Sequence, residues 1–203
     1  MNRKIAIVGY SGHATVIEDA LLSADTSLFG YFEQKEKPGV KMQFLGSEKD
    51  NLQWIRDNDF IVAIGDNALR AKIYNNLLSE ISYVPSSVIH SRSYISKTAQ
   101  LGNYVQVLTH AVIHPYAKVG KGTICNTASL VEHECEVGDF CHIAVGAVLC
   151  GNVKVGDYSF VGAGAVVRPG ITIGANVTIG AGAVIVKDVP DNSTVVGNPM
   201  RYI

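Results

Sequence analysis

The sequence lacks an excess of charge of either sign. Its 17 basic and 18 acidic side chains leave a formal net charge of −1 over 203 residues. There is therefore no sequence-wide positive field to attract nucleic acid or an anionic membrane surface. Long apolar segments are also absent, because no run approaches the roughly 20 residues that span a bilayer. The apolar start is broken at Gly9–Gly12, too early for a signal peptide, and these features predict a cytoplasmic protein with no nucleic-acid or membrane partner.

Metal sites and disulfides are not indicated either. The chain has only four cysteines, Cys125, Cys135, Cys141 and Cys150, and none forms the CxxC spacing typical of zinc or redox sites. The histidines of the same region do not have the spacing that would bring three imidazoles onto one zinc ion. We therefore expect no metal, and reduced thiols that are mostly buried.

A repeat of six residues is the strongest pattern that is present. From Ile95 to Ile185 every sixth residue is aliphatic except Cys125, and the residue two places before it is usually small. Neither a helix nor a strand has this period, whereas a solenoid of short strands does. With the aliphatic residue as position one, we predict a triangular prism with corners at positions three and four. One turn takes about 18 residues.

The first 88 residues follow a different pattern, in which strands and helices alternate. Strands are predicted at Lys4–Val8, Leu28–Glu33, Phe60–Ile64 and Ile81–Val84, helices at Thr15–Leu22 and Ala68–Leu78, and a surface loop at Gln34–Gln43. This alternation is typical of a small parallel sheet of Rossmann-like type. The chain therefore divides into an α/β Rossmann-like domain at 1–88 and a repeat domain with a C-terminal tail at 89–203.

A histidine at one corner of the expected prism suggests acyl-transfer chemistry. His133 and Glu134 take positions three and four of their hexad, and Gly151 follows one turn later, so its backbone should lie directly above the imidazole. A general base beside a backbone N–H that stabilises an oxyanion is what acyl transfer requires. Glu134 would orient the ring and raise its basicity. The alternatives are a solvated surface histidine and, for a covalent route, Cys150 as the nucleophile.

The other histidines of the repeat region have weaker patterns. His142 takes position six, so it faces outward half a turn from His133. His110 and His114 lie one turn earlier than His133 and have no comparable partner in the sequence pattern. We interpret these two as ordinary outward-facing residues.

The chain resembles a known family, the bacterial sugar acyltransferases that include sialic acid O-acetyltransferase-like proteins and nucleotide-4-amino-sugar N-acetyltransferases. The resemblance covers the whole chain and is carried by Ile7–His13, Ala63–Asn67, Asn126–Thr127, Glu132–Cys135, Cys150–Asn152 and Val196–Pro199. It implies that the N-terminal domain binds a nucleotide sugar and that the repeats form a left-handed parallel β-helix, which binds acetyl-CoA and carries the catalytic residues. It also implies a homotrimer with active sites between subunits.

The resemblance further implies roles for individual residues. His133 would be the general base and Glu134 would sharpen its basicity. The acetyl-CoA site would contain His142 at the thioester arm, the Gly151 amide at the thioester oxygen, and the backbone of Ala163 and Ala181 along the pantetheine channel. The substrate-binding residues would be Ser11, Gly12, His13, Glu33, Gln34, Gly65 and Asn126.

Some parts of the implied substrate site stay open. Ser11–His13 would hold the nucleotide diphosphate, which agrees with the residues themselves, since a glycine-rich turn entering a helix N-terminus is an anion site; a plain strand-to-helix turn is the alternative. Glu33 lies where relatives carry acidic residues that recognise the base or ribose, but Gln34 departs from that pattern. Lys187 and Arg201 could pair with coenzyme phosphates or face solvent.

We predict an acetyltransferase that moves acetyl from acetyl-CoA to the amino group of a UDP- or dTDP-linked 4-amino sugar. His133 acts as general base, the attack is direct, and no metal takes part. One alternative is O-acetylation of a sugar hydroxyl, such as one on sialic acid. Another, of a different class, is a non-catalytic scaffold trimer that binds a nucleotide sugar.

Overall fold

The computed structural model describes residues 3–203, so residues 1 and 2 of the first predicted domain lie outside it. The N-terminal domain contains β1 (Ile5–Val8), α1 (Gly12–Ser23), β2 (Leu28–Phe32), β3 (Gln43–Phe44), a 3-10 helix (Glu48–Asn51), α2 (Leu52–Asp57), β4 (Asp59–Val62) and α3 (Asn67–Leu78). Its four parallel strands have the order β3-β2-β1-β4. The predicted parallel sheet of Rossmann-like type is confirmed.

Three parts of this domain differ from the sequence prediction, and the first is β3, which was not predicted and begins at Gln43, the last residue of the predicted loop. The strand predicted at Ile81–Val84 is wrong, because this segment pairs with no neighbouring strand. Its Tyr83 hydroxyl donates to the Ile55 carbonyl at 2.8 Å, so the segment packs on α2 while the chain crosses to the repeats. The 3-10 helix and α2 were not predicted, although Ser47 accepts the Lys49 N–H as a helix-capping residue does.

The repeat region is a parallel β-solenoid. Its short strands are β5 (Val88–Ile89), β6 (Tyr94–Ile95), β7 (Gln100–Leu101), β8 (Gln106–Val107), β9 (Val112–Ile113), β10 (Lys118–Val119), β11 (Ile124–Cys125), β12 (Leu130–Val131), β13 (Glu136–Val137), β14 (His142–Ile143), β15 (Val148–Leu149), β16 (Lys154–Val155), β17 (Phe160–Val161), β18 (Val166–Val167), β19 (Thr172–Ile173), β20 (Thr178–Ile179) and β21 (Val184–Ile185). In the tail, β22 (Thr194–Val196) pairs with β20, and β23 (Arg201–Tyr202) pairs with β22. The predicted prism of hexapeptide repeats is confirmed.

The solenoid has three sheets, which we name by what lies on them. The docked sheet (β5, β8, β11, β14, β17, β20, β22, β23) faces the N-terminal domain, the apolar sheet comprises β6, β9, β12, β15, β18 and β21, and the charged sheet comprises β7, β10, β13, β16 and β19. Residues 18 apart pair across neighbouring coils, as Leu130 does with Val148. At the corners, every position four from Tyr104 to Gly182 has a positive φ.

The interior of the prism is filled by the position-one side chains. Val131, Val137 and Ile143 are at most 4% exposed, and burial of each such side chain contributes about 1.5–3 kcal/mol, much of it offset by the ordering of the chain. All four cysteines are free, and only Cys150 among them is not fully buried. Burial raises the pKa of the Cys125 thiol to about 12, so it is not a nucleophile at neutral pH.

The N-terminal domain is packed against the docked sheet through two buried clusters. In one, Leu108 and Ile124 of the solenoid lie against Ile7 and Ile17 of the α/β domain. In the other, the Tyr104 ring is stacked on Tyr74 of α3, with centroids 4.5 Å apart. Within residues 3–203, no helix combines the length and apolar character needed to cross a membrane.

Candidate active site

His133 lies at the corner between the apolar sheet and the charged sheet, after β12 and before β13. Its side chain is 59% exposed, and Nδ1 lies 3.2 Å from Oε2 of Glu134. The Asn152 N–H donates to the His133 carbonyl at 2.9 Å, which keeps the next coil in register at this corner. Because the carboxylate accepts a hydrogen bond from Nδ1–H, the lone pair of Nε2 is left free to take a proton from another molecule.

Gly151 lies directly against this imidazole, as the spacing predicts. A Cβ at position 151 would come within 2.6 Å of both Cε1 and Nε2 of His133, so only glycine leaves room for the ring. The flanking N–H groups of Cys150 and Asn152 donate to the carbonyls of Val167 and His133. The Gly151 N–H between them has no such acceptor among the described residues, so it is available to an oxyanion.

His114 has a partner that the sequence interpretation missed. Its Nε2 lies 3.7 Å from Oε1 of Glu132, and the other carboxylate oxygen of Glu132 accepts the His133 N–H at 3.3 Å. Both residues take position two of their hexads and are one coil apart, so the spacing could have revealed the pair. His114 is therefore part of the support of His133 rather than an isolated surface residue. His110, by contrast, has its ring Nδ1 3.2 Å from the hydroxyl of its neighbour Thr109.

A second polar cluster lies where the two domains meet. His142 faces out of the prism, but the N-terminal domain covers it, so it is 8% exposed. Its Nδ1 donates to the Gly65 carbonyl at 3.2 Å, and its Nε2 accepts from Asn126 Nδ2 at 2.9 Å. Burial, followed by the nearby Arg70 charge, lowers the pKa of His142 to about 4. The imidazole is therefore neutral at physiological pH.

His13 is the second neutral imidazole of this cluster. Its ring lies 6.2 Å from that of His142, centroid to centroid. Gln106 donates through Nε2 to the Val62 carbonyl at 2.8 Å, so its Oε1 accepts from His13 Nε2 at 2.7 Å. Burial lowers the pKa of His13, although the Gln106 hydrogen bond opposes this change. Neither Gln106 nor its partnership with His13 was predicted, because it depends on how the domains dock.

Of the predicted nucleotide-binding residues, Ser11, Glu33 and Gln34 line a separate cleft of about 420 Å³ at the carboxyl ends of β1 and β2, whereas the His13 side chain lies in the second polar cluster. Gly12 is the first residue of α1, next to this cleft. The Glu33 carboxylate accepts the N–H groups of Tyr10 at 3.2 Å and Gln34 at 2.9 Å. Partial burial opposes ionisation of Glu33, but these bonds and Lys37 outweigh it and lower its pKa. The cleft therefore offers a fixed, ionised carboxylate.

Comparison with known proteins places these features in a family. Residues 4–77 match the model of the PglD N-terminal domain, and residues 134–169 and 152–187 match the bacterial transferase hexapeptide model of six repeats. The acetyltransferase domain of PglB from Neisseria gonorrhoeae, solved in complex with acetyl coenzyme A, is 33% identical, with 100% of each chain covered and a TM-score of 0.94. The chain belongs to the hexapeptide-repeat sugar acetyltransferases.

Two further solved structures agree with this assignment. PerB from Caulobacter crescentus, in complex with CoA and GDP-perosamine, is 32% identical, with 98% of this chain and 97% of that chain covered and a TM-score of 0.92. WeeI from Acinetobacter baumannii is 25% identical, with 98% and 99% covered and a TM-score of 0.83. The predicted family and the predicted enzyme class of sugar N-acetyltransferase are confirmed.

The candidate residues of this acetyltransferase occupy two different corners. His133, Glu134 and Gly151 lie at the corner between the apolar and charged sheets. Asn126 and His142 lie on the docked sheet, near its corner with the apolar sheet. Ala163 and Ala181 lie on that second corner one coil apart, since the Gly182 N–H donates to the Ala163 carbonyl. One chain therefore does not bring the two groups together, because the whole apolar sheet separates them.

Other predicted contacts of the acetyltransferase have simple surroundings. The Lys187 ammonium lies 5.7 Å from the centroid of the Tyr202 ring in the tail, and Arg201 is exposed on β23. Among residues 3–203, no three His, Cys, Asp or Glu side chains converge as metal ligands.

We expect Gly151→Ala to reduce kcat/KM of acetyl transfer by about 100-fold, the effect typical of displacing a catalytic group by about 1 Å. The new methyl group would lie 2.6 Å from the His133 ring, which must rotate away from the position that Glu134 supports. Steady-state kinetics with acetyl-CoA and an accepted amino-sugar substrate measure the change.

The control is the same substitution in a His133→Ala background. There the added methyl meets no imidazole, so Gly151→Ala should leave Tm unchanged, whereas in the wild-type background it should lower Tm. Unchanged kinetics of the single variant would contradict the proposed contact.

Proposed function

We propose that this enzyme transfers the acetyl group of acetyl-CoA to the amino group of a nucleotide-linked amino sugar, with His133 as general base. The observation that carries the proposal is the imidazole of His133 lying between the Glu134 carboxylate and the Gly151 backbone. The PglB domain bound to acetyl coenzyme A and PerB bound to CoA and GDP-perosamine support the two substrate classes.

The chemistry follows from the atoms at the His133 corner. Nε2 accepts a proton from the sugar amine as its nitrogen forms a bond to the thioester carbonyl carbon. The Gly151 N–H stabilises the resulting oxyanion. Collapse breaks the carbon–sulfur bond, and the imidazolium returns the proton to the departing thiolate of CoA. Glu134 stabilises the imidazolium between these two proton transfers.

The second corner supplies the rest of the proposed site. Asn126 shapes the acceptor site, and His142 contacts the thioester arm as a neutral imidazole. Gly65 contacts this pair through its carbonyl, which accepts from His142, and it follows Ile64 of the nucleotide cleft in the chain. Ala163 and Ala181 line the pantetheine channel with backbone groups.

The nucleotide cleft completes the proposal. Ser11, Gly12 and the backbone of His13, at the N-terminus of α1, bind the diphosphate, where backbone N–H groups and the helix dipole favour an anion. Glu33 and Gln34 bind the base or ribose, and the fixed Glu33 carboxylate accepts hydrogen bonds from hydroxyl or N–H donors. UDP and dTDP are the nucleotides predicted from the sequence.

We infer that the active enzyme is a homotrimer, because the two corners complete each other only between chains. The outward face of the apolar sheet carries a column of partly exposed apolar side chains, from Val112 and Leu130 to Val166 and Val184. Contact of this face with a neighbouring chain would remove apolar surface from water. It would also bring His133 of one chain to the Asn126–His142 corner of the next. The cytoplasmic location stays a prediction.

An acetyl-transfer assay over a panel of nucleotide sugars tests this function. We expect release of CoA thiol with UDP- or dTDP-4-amino sugars, and the panel includes GDP-4-amino sugars because of the PerB complex. The matched control is the same nucleotide sugar with a hydroxyl in place of the amine. Turnover of the hydroxyl compounds or of sialic acid alone would show O-acetylation instead. No turnover, with no thermal stabilisation by either substrate class, would contradict the proposal.

A further inference from the structure

Arg70 of α3 is a fully buried guanidinium, with 0% of its surface exposed. No carboxylate lies within ion-pair distance of it among residues 3–203. Burial lowers the pKa of Arg70 to about 10, so it still carries its charge at neutral pH. An unpaired buried charge is costly unless all its donors are satisfied. The position therefore calls for a role that a smaller or uncharged side chain could not fill.

The donors of Arg70 connect the α/β domain to two coils of the solenoid. Nε donates to the Gly122 carbonyl at 2.8 Å, and Nη2 donates to the Phe140 and Cys141 carbonyls at 3.0 Å. Residues 122 and 140 take the same corner position one coil apart. Within the α/β domain, Nη2 also reaches Asn67 Oδ1 at 2.9 Å. The planar, multiply donating guanidinium suits this arrangement better than an ammonium does.

The remaining donor reaches the residue that orients His142. Nη1 donates to the carbonyls of Ile64 at 3.1 Å and Gly65 at 3.0 Å. The Gly65 carbonyl also accepts from His142 Nδ1 at 3.2 Å. Since a carbonyl oxygen can only accept, this contact keeps the proton on Nδ1 and leaves Nε2 bare. Asn126 donates to that bare nitrogen, and its own Oδ1 accepts the Thr127 N–H at 2.8 Å.

We propose that Arg70 is a positioning residue of the acetyl-transfer site: it fixes the Gly65 carbonyl so that His142 keeps one tautomer, with Nε2 toward Asn126. Arg70 touches neither substrate. The proposal rests on the proposed function, because it assumes that His142 belongs to the acetyl-transfer site. Among the described residues, the charged and titratable groups around His142 are Arg70 and Asp66 at the start of α3, His13 of α1 and Tyr158 of the solenoid. The Arg70 charge is second to burial in lowering the pKa of His142.

Nitrogen-15 NMR of the histidine-labelled full chain tests this directly. In the wild type we expect the Nδ1–H tautomer of His142 and no protonation above about pH 5. In Arg70→Met we expect a mixture of tautomers and a titration closer to the ordinary histidine range. We also expect kcat to fall about 10- to 100-fold, as for the loss of other groups that orient a site residue, with the KM for acetyl-CoA nearly unchanged.

Arg56→Met is the matched control. Arg56 lies on α2, half-exposed, and pairs with Glu80 far from His142, so this variant should change neither the NMR spectrum of His142 nor kcat. If Arg70→Met does not fold, the same NMR measurement on Arg70→Lys tests the proposal, because an ammonium keeps the charge but cannot hold the same set of carbonyls. We then expect mixed tautomers in the lysine variant.

A folded Arg70 variant in which His142 keeps its tautomer and titration would overturn the proposal, even if Tm or kcat falls. The failure of the proposed function looks different. In that case the wild type acetylates no amino sugar, while the NMR change caused by Arg70 substitution is still seen and upholds the positioning role.

Discussion

His133→Asn is expected to lower kcat by about 10²- to 10⁴-fold, the range typical for loss of a general base. Asparagine fits the corner and can contact Glu134, but it cannot accept a proton from the attacking amine. The KM for acetyl-CoA should change little, because the imidazole acts in the transition state rather than in binding the coenzyme. Initial rates of CoA release with a saturating amino-sugar substrate measure the effect.

Two further variants separate the direct route from its alternatives. Cys150→Ala should retain nearly full activity, whereas loss of activity in this variant alone would indicate the covalent route. The activity of Glu134→Gln should lie between the activities of Cys150→Ala and His133→Asn. In this variant the ring keeps a hydrogen-bond partner but loses the carboxylate that stabilises the imidazolium. If His133→Asn kept most of its turnover, His133 would be excluded as the general base.

Mixed trimers should recover activity from two inactive parents. We expect His133→Asn and His142→Asn homotrimers each to be inactive, since every site lacks one residue. In every trimer that contains both variants, one of the three sites would combine a normal His133 from one chain with a normal His142 from the next. The activity of these mixed trimers should therefore rise to about a third of the wild-type value. Co-expression with two affinity tags, followed by assay of doubly purified protein, measures it.

A mixture of two variants from the same corner is the control. His133→Asn and Gly151→Ala alter the same side of every site, so their mixed trimers should stay near the level of Gly151→Ala alone. If neither mixture recovers activity although mixed trimers form, the two corners do not act together across an interface.

The solenoid could be predicted from the sequence because every hexad buries the same kind of side chain at the same position. Val131 and Leu149 are buried for the same reason, and the pairing of residues 18 apart places Gly151 on His133 without any knowledge of the other domain. Because each coil repeats the geometry of the one before it, the position of one corner fixes the position of the next. The same counting would have paired His114 with Glu132, which the interpretation of the sequence overlooked.

The second cluster could not be predicted from the repeat. His142 takes an outward position, which by pattern alone indicates exposure, yet the α/β domain buries it. Gln106, Arg70 and His13 meet there only because two unlike domains dock, and no sequence period relates residues so far apart. The strand predicted at Ile81–Val84 is absent for a similar reason, since strand pairing depends on which neighbours the fold supplies.

The stacking of Gly151 on His133 also limits how such a chain can change in length. An insertion of one residue between them has to loop out at a corner, because otherwise it would shift every later hexad by one position and turn its aliphatic side chains out of the interior. An added or deleted block of 18 residues outside this pair would keep all later residues in phase and change the groove by one strand spacing, about 4.8 Å. Differences in length among such enzymes are therefore expected to come in whole coils, each of which lengthens the proposed groove for the coenzyme by one strand spacing.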